Sequence, residues 1–260
     1  MKIITPKVFL IGETKILDEG IKDYLTYLGV PNWISDASTD IEKIIEIYGR
    51  LCYGSYDVSL NKNLTRVRKH NKDYLKNIIE KGDGSVLEHS TLNFIFCDVS
   101  RVFTAELCRH RVGTAISERS LRFVRLNNID YFAPTCVKEN EQAMMIFMKA
   151  AKEVEELERE LAVIYELDKI QDFNKKKVIT SAMRRVVPMG LATTIGWSAN
   201  IRTIRHVLEM RTDPAAEEEI RAVFQQVGII MQQRYPNLFG DYTTEEIDGY
   251  LAFTTPNKKV

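Results

Sequence analysis

Hydrophobic and polar positions repeat with helical spacing along much of the chain. In the longest such stretch, residues 139–168, apolar residues recur every three or four positions and charged residues fill the other face. Such a stripe is typical of core packing or of a subunit contact. The same spacing predicts further helices over residues 40–51, 72–80, 101–109, 175–187, 201–210 and 215–233. The predicted N-terminal caps are Thr39, Ser100, Asn200 and, for the last helix, Asp213 followed by Pro214.

Strand patterns are shorter and lie mainly in the first half. Leu92, Phe94 and Phe96 alternate with smaller or polar residues, which predicts a strand over residues 90–99. Residues 8–11 form another strand candidate, and residues 123–126 and 129–132 supply further short strand material. No internal repeat or linker divides the sequence, so it predicts one α+β domain over residues 1–260.

Composition narrows the class of protein. The 36 basic and 36 acidic residues give no net charge, which argues against a general nucleic-acid binder. The four cysteines form no CxxC pair, so we expect no metal site. The chain has no secretory signal pattern and no long apolar run, which predicts a cytoplasmic protein with reduced thiols and no membrane contact.

Residues 109–122 contain four arginines, one histidine and one glutamate. So many cations in a short segment repel one another unless an anion lies among them. If the segment from Ile116 onward is extended, Glu118, Ser120 and Arg122 point to one side, where a hydroxyl and a guanidinium form a phosphate clamp. A solvated basic loop is the alternative interpretation.

Two further basic groups follow. Arg184 and Arg185 precede Pro188, and a predicted helix carries Arg202 and His206 on one face, four residues apart. Arg211 lies five residues beyond His206, so we expect it to meet a different group. Apolar neighbours of this helix favour partial burial, and buried guanidiniums need anionic partners. The alternative is a solvated helix face.

These motifs together resemble the flavin-dependent thymidylate synthases. The family signature is Arg-His-Arg, a short spacer and Ser-x-Arg, which Arg109-His110-Arg111 and Ser120-Leu121-Arg122 supply with a spacer one residue longer than usual. The segment 84–89 resembles the family motif ahead of the first core strand. Arg184 with Pro188, Asn200 with Arg202 and His206, and then Arg211 resemble its second half. The resemblance covers about residues 52–221, and one departure is Asp83, where many members have histidine.

The resemblance implies a fold, a reaction and site residues. The fold would be a mixed or antiparallel sheet flanked by long helices, as a single-domain subunit of a homotetramer whose sites combine chains. The reaction would be reductive methylation of dUMP to dTMP, with methylenetetrahydrofolate as carbon donor and NADPH as reductant of bound FAD. FAD would contact Ser85, Arg109, His110, Arg111, Glu118, Asn200, Arg202 and His206. Substrate dUMP would contact Glu106, Arg109, Glu118, Ser120, Arg122, Arg184 and Arg211, with Arg211 as the catalytic residue.

Alternatives from other classes remain open at this point. One is a non-catalytic RNA- or nucleotide-binding module that uses the same arginines on phosphates. Another is a related flavoprotein that methylates a different uracil-containing substrate. Cys108 directly precedes the Arg-His-Arg motif, but the apolar residues around it predict a buried, inert thiol rather than a nucleophile.

Overall fold

A computed structural model describes residues 2–121 and 130–260. The strands are β1 (Lys7–Glu13), β2 (Thr91–Ser100), β3 (Thr114–Glu118), β4 (Ala192–Asn200), β5 (Thr243–Ile247) and β6 (Tyr250–Thr254). The helices are α1 (Asp18–Tyr27), α2 (Asp40–Tyr53), α3 (Asn71–Lys81), α4 (Arg101–Leu107), α5 (Thr135–Lys138), α6 (Glu141–Ile164), α7 (Phe173–Met183), α8 (Ile201–Thr212), α9 (Glu218–Arg234) and α10 (Pro236–Phe239). Short 3-10 turns cover Val58–Leu60, Gly84–His89 and Arg184–Val186.

Four strands form an antiparallel sheet in the order β1-β2-β4-β3. The predicted alternation in β2 is confirmed, because Leu92, Phe94 and Phe96 are all buried. β4 was not predicted, although it is a central strand that pairs with both β2 and β3. The residues between its buried positions include Gly196 and Ser198, and glycine in particular weakens a strand signal.

The main core lies between one face of this sheet and helices α8 and α9. Trp197 of β4 packs edge-to-face against Phe224 of α9, with ring centroids 5.7 Å apart. Val207 and Leu208 of α8 are completely buried in the same cluster. This packing fixes α8 against the sheet, and α8 carries three of the predicted site residues. The α+β class with an antiparallel sheet is therefore confirmed.

Three of the four predicted helix caps are confirmed. The side chains of Thr39, Ser100 and Asn200 accept backbone N–H groups at the starts of α2, α4 and α8. The fourth prediction is wrong, because the last long helix begins at Glu218 with Glu217 as its cap. Asp213 instead closes a turn, in which its carboxylate accepts the backbone N–H of Ala215 at 2.8 Å.

Helix α6 extends away from the main core. It is shorter than the predicted stretch 139–168, because Asn140 caps its N-terminus and residues 165–168 form turns. Ala151 is its only buried residue, whereas Met145, Ile146, Val163 and Ile164 are exposed. Of the apolar stripe read from the sequence, Phe147 and Val154 pack in a small cluster with Ala151, whereas Leu157 and Ile164 are exposed.

Other elements were outside the sequence prediction. Helix α1 and the β5–β6 hairpin were not predicted. Of the strand material expected over residues 123–132, residues 123–129 lie outside the described residues, and Tyr131 forms only isolated bridges to Ile3 and Leu191. In the described ranges, 2–121 and 130–260, no helix is long and apolar enough to cross a membrane.

Candidate active site

Arg211, in the last turn of α8, contacts two residues of the α4 region. Its Nε donates to Nε2 of His110 at 2.7 Å, and its Nη1 donates to the Glu106 carboxylate at 3.1 Å. Its Nη2 lies 3.5 Å from the Glu106 carbonyl oxygen. The structure therefore joins three of the candidate residues across more than a hundred positions of sequence. The expectation that Arg211 meets a different group from Arg202 and His206 is confirmed.

The contact with Arg211 defines the protonation state of His110. Burial lowers the pKa of His110 to about 4, and the nearby charges of Arg211 and His206 act in the same direction. His110 is thus neutral at pH 7, with Nε2 as acceptor and its proton on Nδ1. Arginine has five N–H donors. Three are used in the contacts with His110 and Glu106, so two remain for a ligand.

The loop between α4 and β3 is fastened to the N-terminus of α8. The Thr203 hydroxyl donates to the Val112 carbonyl at 2.9 Å, and the Asn200 N–H donates to the Gly113 carbonyl at 3.1 Å. Gly113 has φ of +69°, and a Cβ there would clash with the Asn200 side chain. Asn200 is therefore primarily a structural residue, which caps α8 and faces this glycine.

Exposed donors lie on the segments that meet around the start of α8. Arg109, Arg111 and His206 are exposed. Neither of the two arginines forms an ion pair within the described part of the chain. Arg202 is also exposed and donates from Nη1 to the Glu88 carboxylate at 2.6 Å.

Glu88 belongs to the 3-10 turn that also contains the exposed Ser85. A Cβ at Gly84 of the same turn would approach Arg202 Nε to 2.8 Å, so the turn and the guanidinium are in close contact. The role of Glu88 was missed by the sequence interpretation. The sequence signal that could have revealed Glu88 is the need of Arg202 for an anionic partner.

The predicted phosphate clamp is only partly described. Glu118 forms an ion pair with Arg101 at 2.9 Å, a partner that the sequence did not suggest. Ser120 is half-buried, and Arg122 lies outside the described residues. Arg184 is exposed in the 3-10 turn after α7. Across residues 2–121 and 130–260, its side chain forms no hydrogen bond or ion pair with the Arg211 cluster.

The buried Glu219 carboxylate contacts the N-terminal cap of α4. The Ser100 hydroxyl accepts the N–H groups of Val102 and Phe103 and donates to Glu219, which also accepts the Ser100 N–H at 2.6 Å. Burial raises the pKa of Glu219 to about 7. Because α4 carries Glu106 in its last turn, this contact helps to place the partner of Arg211.

The prediction of a buried Cys108 is wrong. Helix α4 ends at Leu107, so Cys108 leaves the apolar helix face and is exposed. Partial desolvation and the Glu118 carboxylate raise the pKa of its thiol. The thiolate needed for nucleophilic attack is therefore disfavoured. No cluster of three or more metal-binding side chains occurs among the described residues.

Comparisons with known proteins identify the family of this chain. The family profile described as thymidylate synthase complementing protein matches residues 34–237. The chain is 33% identical over 227 residues to a flavin-dependent thymidylate synthase of Corynebacterium glutamicum, covering 84% of this chain and 88% of that protein. It is 30% identical over 238 residues to the protein of that name from Mycobacterium avium, covering 90% and 92%.

A solved structure shares the fold. The crystal structure of the UMP/dUMP methylase PolB from Streptomyces cacaoi, bound with 5-Br dUMP, superimposes with a TM-score of 0.62 at 14% identity. The match covers 92% of this chain and 96% of that chain. The profile spans most of the sequence and the relatives align over nearly all of it, so the chain belongs to the flavin-dependent thymidylate synthase family.

Proposed function

We propose that this protein catalyses reductive methylation of dUMP to dTMP. Methylenetetrahydrofolate supplies the carbon, and NADPH reduces bound FAD. Family membership supports this proposal, and the observation that carries it is the Arg211 cluster. Arg211 is fixed by two partners, is only 14% exposed at its side chain and keeps two unused donors.

The proposed role of Arg211 is electrostatic. Carbon 5 of uracil is a poor nucleophile, and stabilising negative charge on the pyrimidine makes it more reactive. The neutral His110 and the Glu106 carboxylate hold the guanidinium in one orientation, so its remaining N–H groups are preorganised for the pyrimidine edge. No covalent bond from a cysteine is required, and the raised pKa of Cys108 agrees with this.

The exposed donors fit FAD. Arg109 and Arg111 have no carboxylate partner in the described ranges, and two guanidiniums without counterions suit a diphosphate. Bound FAD would supply the redox chemistry, while the protein orients the ligands and excludes water. The remaining proposed contacts to FAD are Ser85, His110, Glu118, Asn200, Arg202 and His206.

The proposed dUMP site shares the same surface. Ser120, Arg122 and Arg184 would hold the phosphate, while Glu106, Arg109, Glu118 and Arg211 would face the nucleoside. Among the described residues, Arg184 forms no hydrogen bond or ion pair with the Arg211 cluster of its own chain. This favours a dUMP site that is completed by a second subunit. The exposed apolar face of α6 supports the same view. We therefore propose that the chain is one domain over residues 1–260 and works as a cytoplasmic homotetramer.

Product formation tests the proposal. The purified protein should be yellow from oxidised flavin and should convert dUMP into dTMP when methylenetetrahydrofolate and NADPH are supplied. Chromatography of the nucleotides measures the product, and omission of each co-substrate is the control. UMP belongs in the same assay because the structural neighbour is named a UMP/dUMP methylase. A colourless protein that binds RNA and forms no methylated nucleotide would contradict the proposal.

A further inference from the structure

A small cavity outside the candidate active site lies between α2, α3 and the segment that joins them. Its volume is about 100 Å³. Ser55 and Tyr74 line its interior, and Arg66, Arg68 and Lys81 line it as well. None of these five residues takes part in the Arg211 cluster or in the exposed donors around α8.

The cavity is rich in cations that lack a carboxylate. Arg66 has no hydrogen-bond or ion-pair partner in the described part of the chain. Arg68 donates only to the neutral side chain of Asn77, at 2.8 Å. Lys81 lies 5.7 Å above the ring of Tyr53. Three cations around one small cavity repel one another, and an anion between them would remove this repulsion.

The neighbouring carboxylates are already engaged. Glu46 accepts two hydrogen bonds from the buried Arg50, at 2.8 and 2.6 Å, and further ones from Ser35 and Asn71. Asp83 accepts the Tyr53 hydroxyl at 2.7 Å. Arg50 itself donates to the carbonyl groups of Ser55 and Arg68, so it shapes the wall of the cavity.

Two buried hydroxyls on the wall have no hydrogen-bond partner outside their own pair among the described residues. Ser55 is 8% exposed and Tyr74 is 5% exposed, and each has an oxygen without a partner of bonding geometry. Burial raises the pKa of Tyr74 to about 12, and a side-chain hydrogen bond from Ser55 lowers it, so the two hydroxyls are nevertheless near enough to interact. Buried polar groups are seldom left unpaired, because each such group has lost its water without compensation. An oxyanion in the cavity would accept the proton that this pair leaves unused.

We infer that this cavity is a binding site for a phosphate group, held by Arg66, Arg68 and Lys81 with the hydroxyls of Ser55 and Tyr74. Guanidinium and hydroxyl donors around a compact space match the oxygen atoms of a phosphate. The group is either inorganic phosphate or the phosphate of a small molecule. A small molecule with a suitable phosphate is NADPH, whose 2′-phosphate distinguishes it from NADH. Binding of NADPH here rests on the proposed function, whereas binding of inorganic phosphate does not.

The test is calorimetric titration of the purified protein with inorganic phosphate. The double variant Arg66→Gln, Arg68→Gln should bind at this site at least about tenfold more weakly, because hydrogen bonds to charged groups are the strong kind. Tyr74→Phe should also weaken binding while it keeps the ring, which lies 4.4 Å from Arg50. The matched control is Lys69→Gln, which removes one charge from the same segment but does not line the cavity. This control should bind phosphate as the unmodified protein does.

Phosphate binding at the candidate active site is distinguished by Arg111→Gln. Weaker binding in Arg111→Gln alone, with the Arg66 and Arg68 variant unchanged, would overturn the inference. So would a double variant that binds both inorganic phosphate and NADPH as tightly as the unmodified protein does. Titrations with NADPH and NADH identify the source. If the double variant loses affinity for NADPH alone, the cavity binds the 2′-phosphate of NADPH. If it loses affinity for inorganic phosphate alone, the cavity binds the free ion. Either result supports the site.

Discussion

Two arginines on α8, six residues apart, occupy opposite kinds of environment. Arg205 is completely buried and donates to both carboxylate oxygens of Asp241, at 2.8 and 2.7 Å. It also donates to the Leu238 carbonyl and lies 4.8 Å from the ring of Tyr242. Arg211 is partly exposed, rests on a neutral histidine and a carboxylate, and keeps two donors.

The difference separates a structural arginine from one suited to chemistry. Asp241 also accepts hydrogen bonds from Thr255 and Asn257, so the Arg205 pair fastens the segment after β6 to α8. Arg205 also has donors without a partner, its Nε among them, but its side chain is completely buried, so none of them can face a ligand. Arg211 is 14% exposed at its side chain, so its unused donors can reach a substrate.

The largest effect is expected for Arg205→Ala. It empties the completely buried Arg205 site and leaves the partly buried Asp241 without its charged partner, which should lower the free energy of unfolding by about 3–5 kcal/mol. Urea denaturation followed by circular dichroism measures the change. Arg205→Lys keeps the charge and should lose less. An alanine variant as stable as the unmodified protein would show that the Arg205–Asp241 pair does not stabilise the fold.

Arg211→Gln should lose activity rather than stability. We expect dTMP formation to fall by about 10²–10³-fold, as for the loss of a preorganised donor in other active sites. Single-turnover measurements with pre-reduced protein give the rate. The control is Arg234→Gln, which removes an exposed arginine paired with Glu13. An Arg211→Gln variant with the rate of the control would remove Arg211 from the reaction.

A third prediction concerns the pH dependence of His110. Its pKa is about 4 in the folded protein and near 6.5 when unfolded, so the unfolded chain binds more protons between these values. This histidine therefore makes the protein lose stability as the pH falls from about 6.5 to 4. In His110→Gln, which does not titrate, unfolding free energy should change less over that window. Denaturation series at several pH values measure it, and an unchanged slope would contradict the neutral assignment.

The smallest effect is expected for Cys108→Ser. With a raised thiol pKa and no role in the Arg211 cluster, its loss should leave dTMP formation within about tenfold, or about 1.4 kcal/mol of barrier. The same single-turnover assay measures it, after flavin content and folding have been checked. Abolished turnover in a folded, flavin-loaded variant would require a covalent mechanism.

Local signals account for what the sequence predicted well. The caps Thr39, Ser100 and Asn200 act on N–H groups two or three residues away, so they can be read without tertiary structure. The motifs also selected Arg211, His110 and Glu106, which the structure brings into contact. Their hydrogen bonds depend on long-range packing, so only the residue types were predictable.

Long-range partners account for what the sequence missed. β4 is a strand because it pairs with β2 and β3, although its own residues signal this weakly. Arg205 and Arg211 look alike in the sequence, and only the distant Asp241 and His110 distinguish them. Asp213 was taken as a helix cap because a turn and a cap use the same side-chain chemistry.

The pairing of β2 with β4 also bears on how the chain tolerates changes of length. Ser100 pairs with Ala192, and the N–H of Arg101 donates to the Leu191 carbonyl, so the segment 101–191, which includes β3, begins and ends at nearly the same point of the sheet. The entropy of closing such a loop changes only slowly with its length. We therefore expect insertions or deletions near the exposed end of α6 to affect the free energy of unfolding little. Truncation into residues 101–121 would instead remove the partners of Arg211.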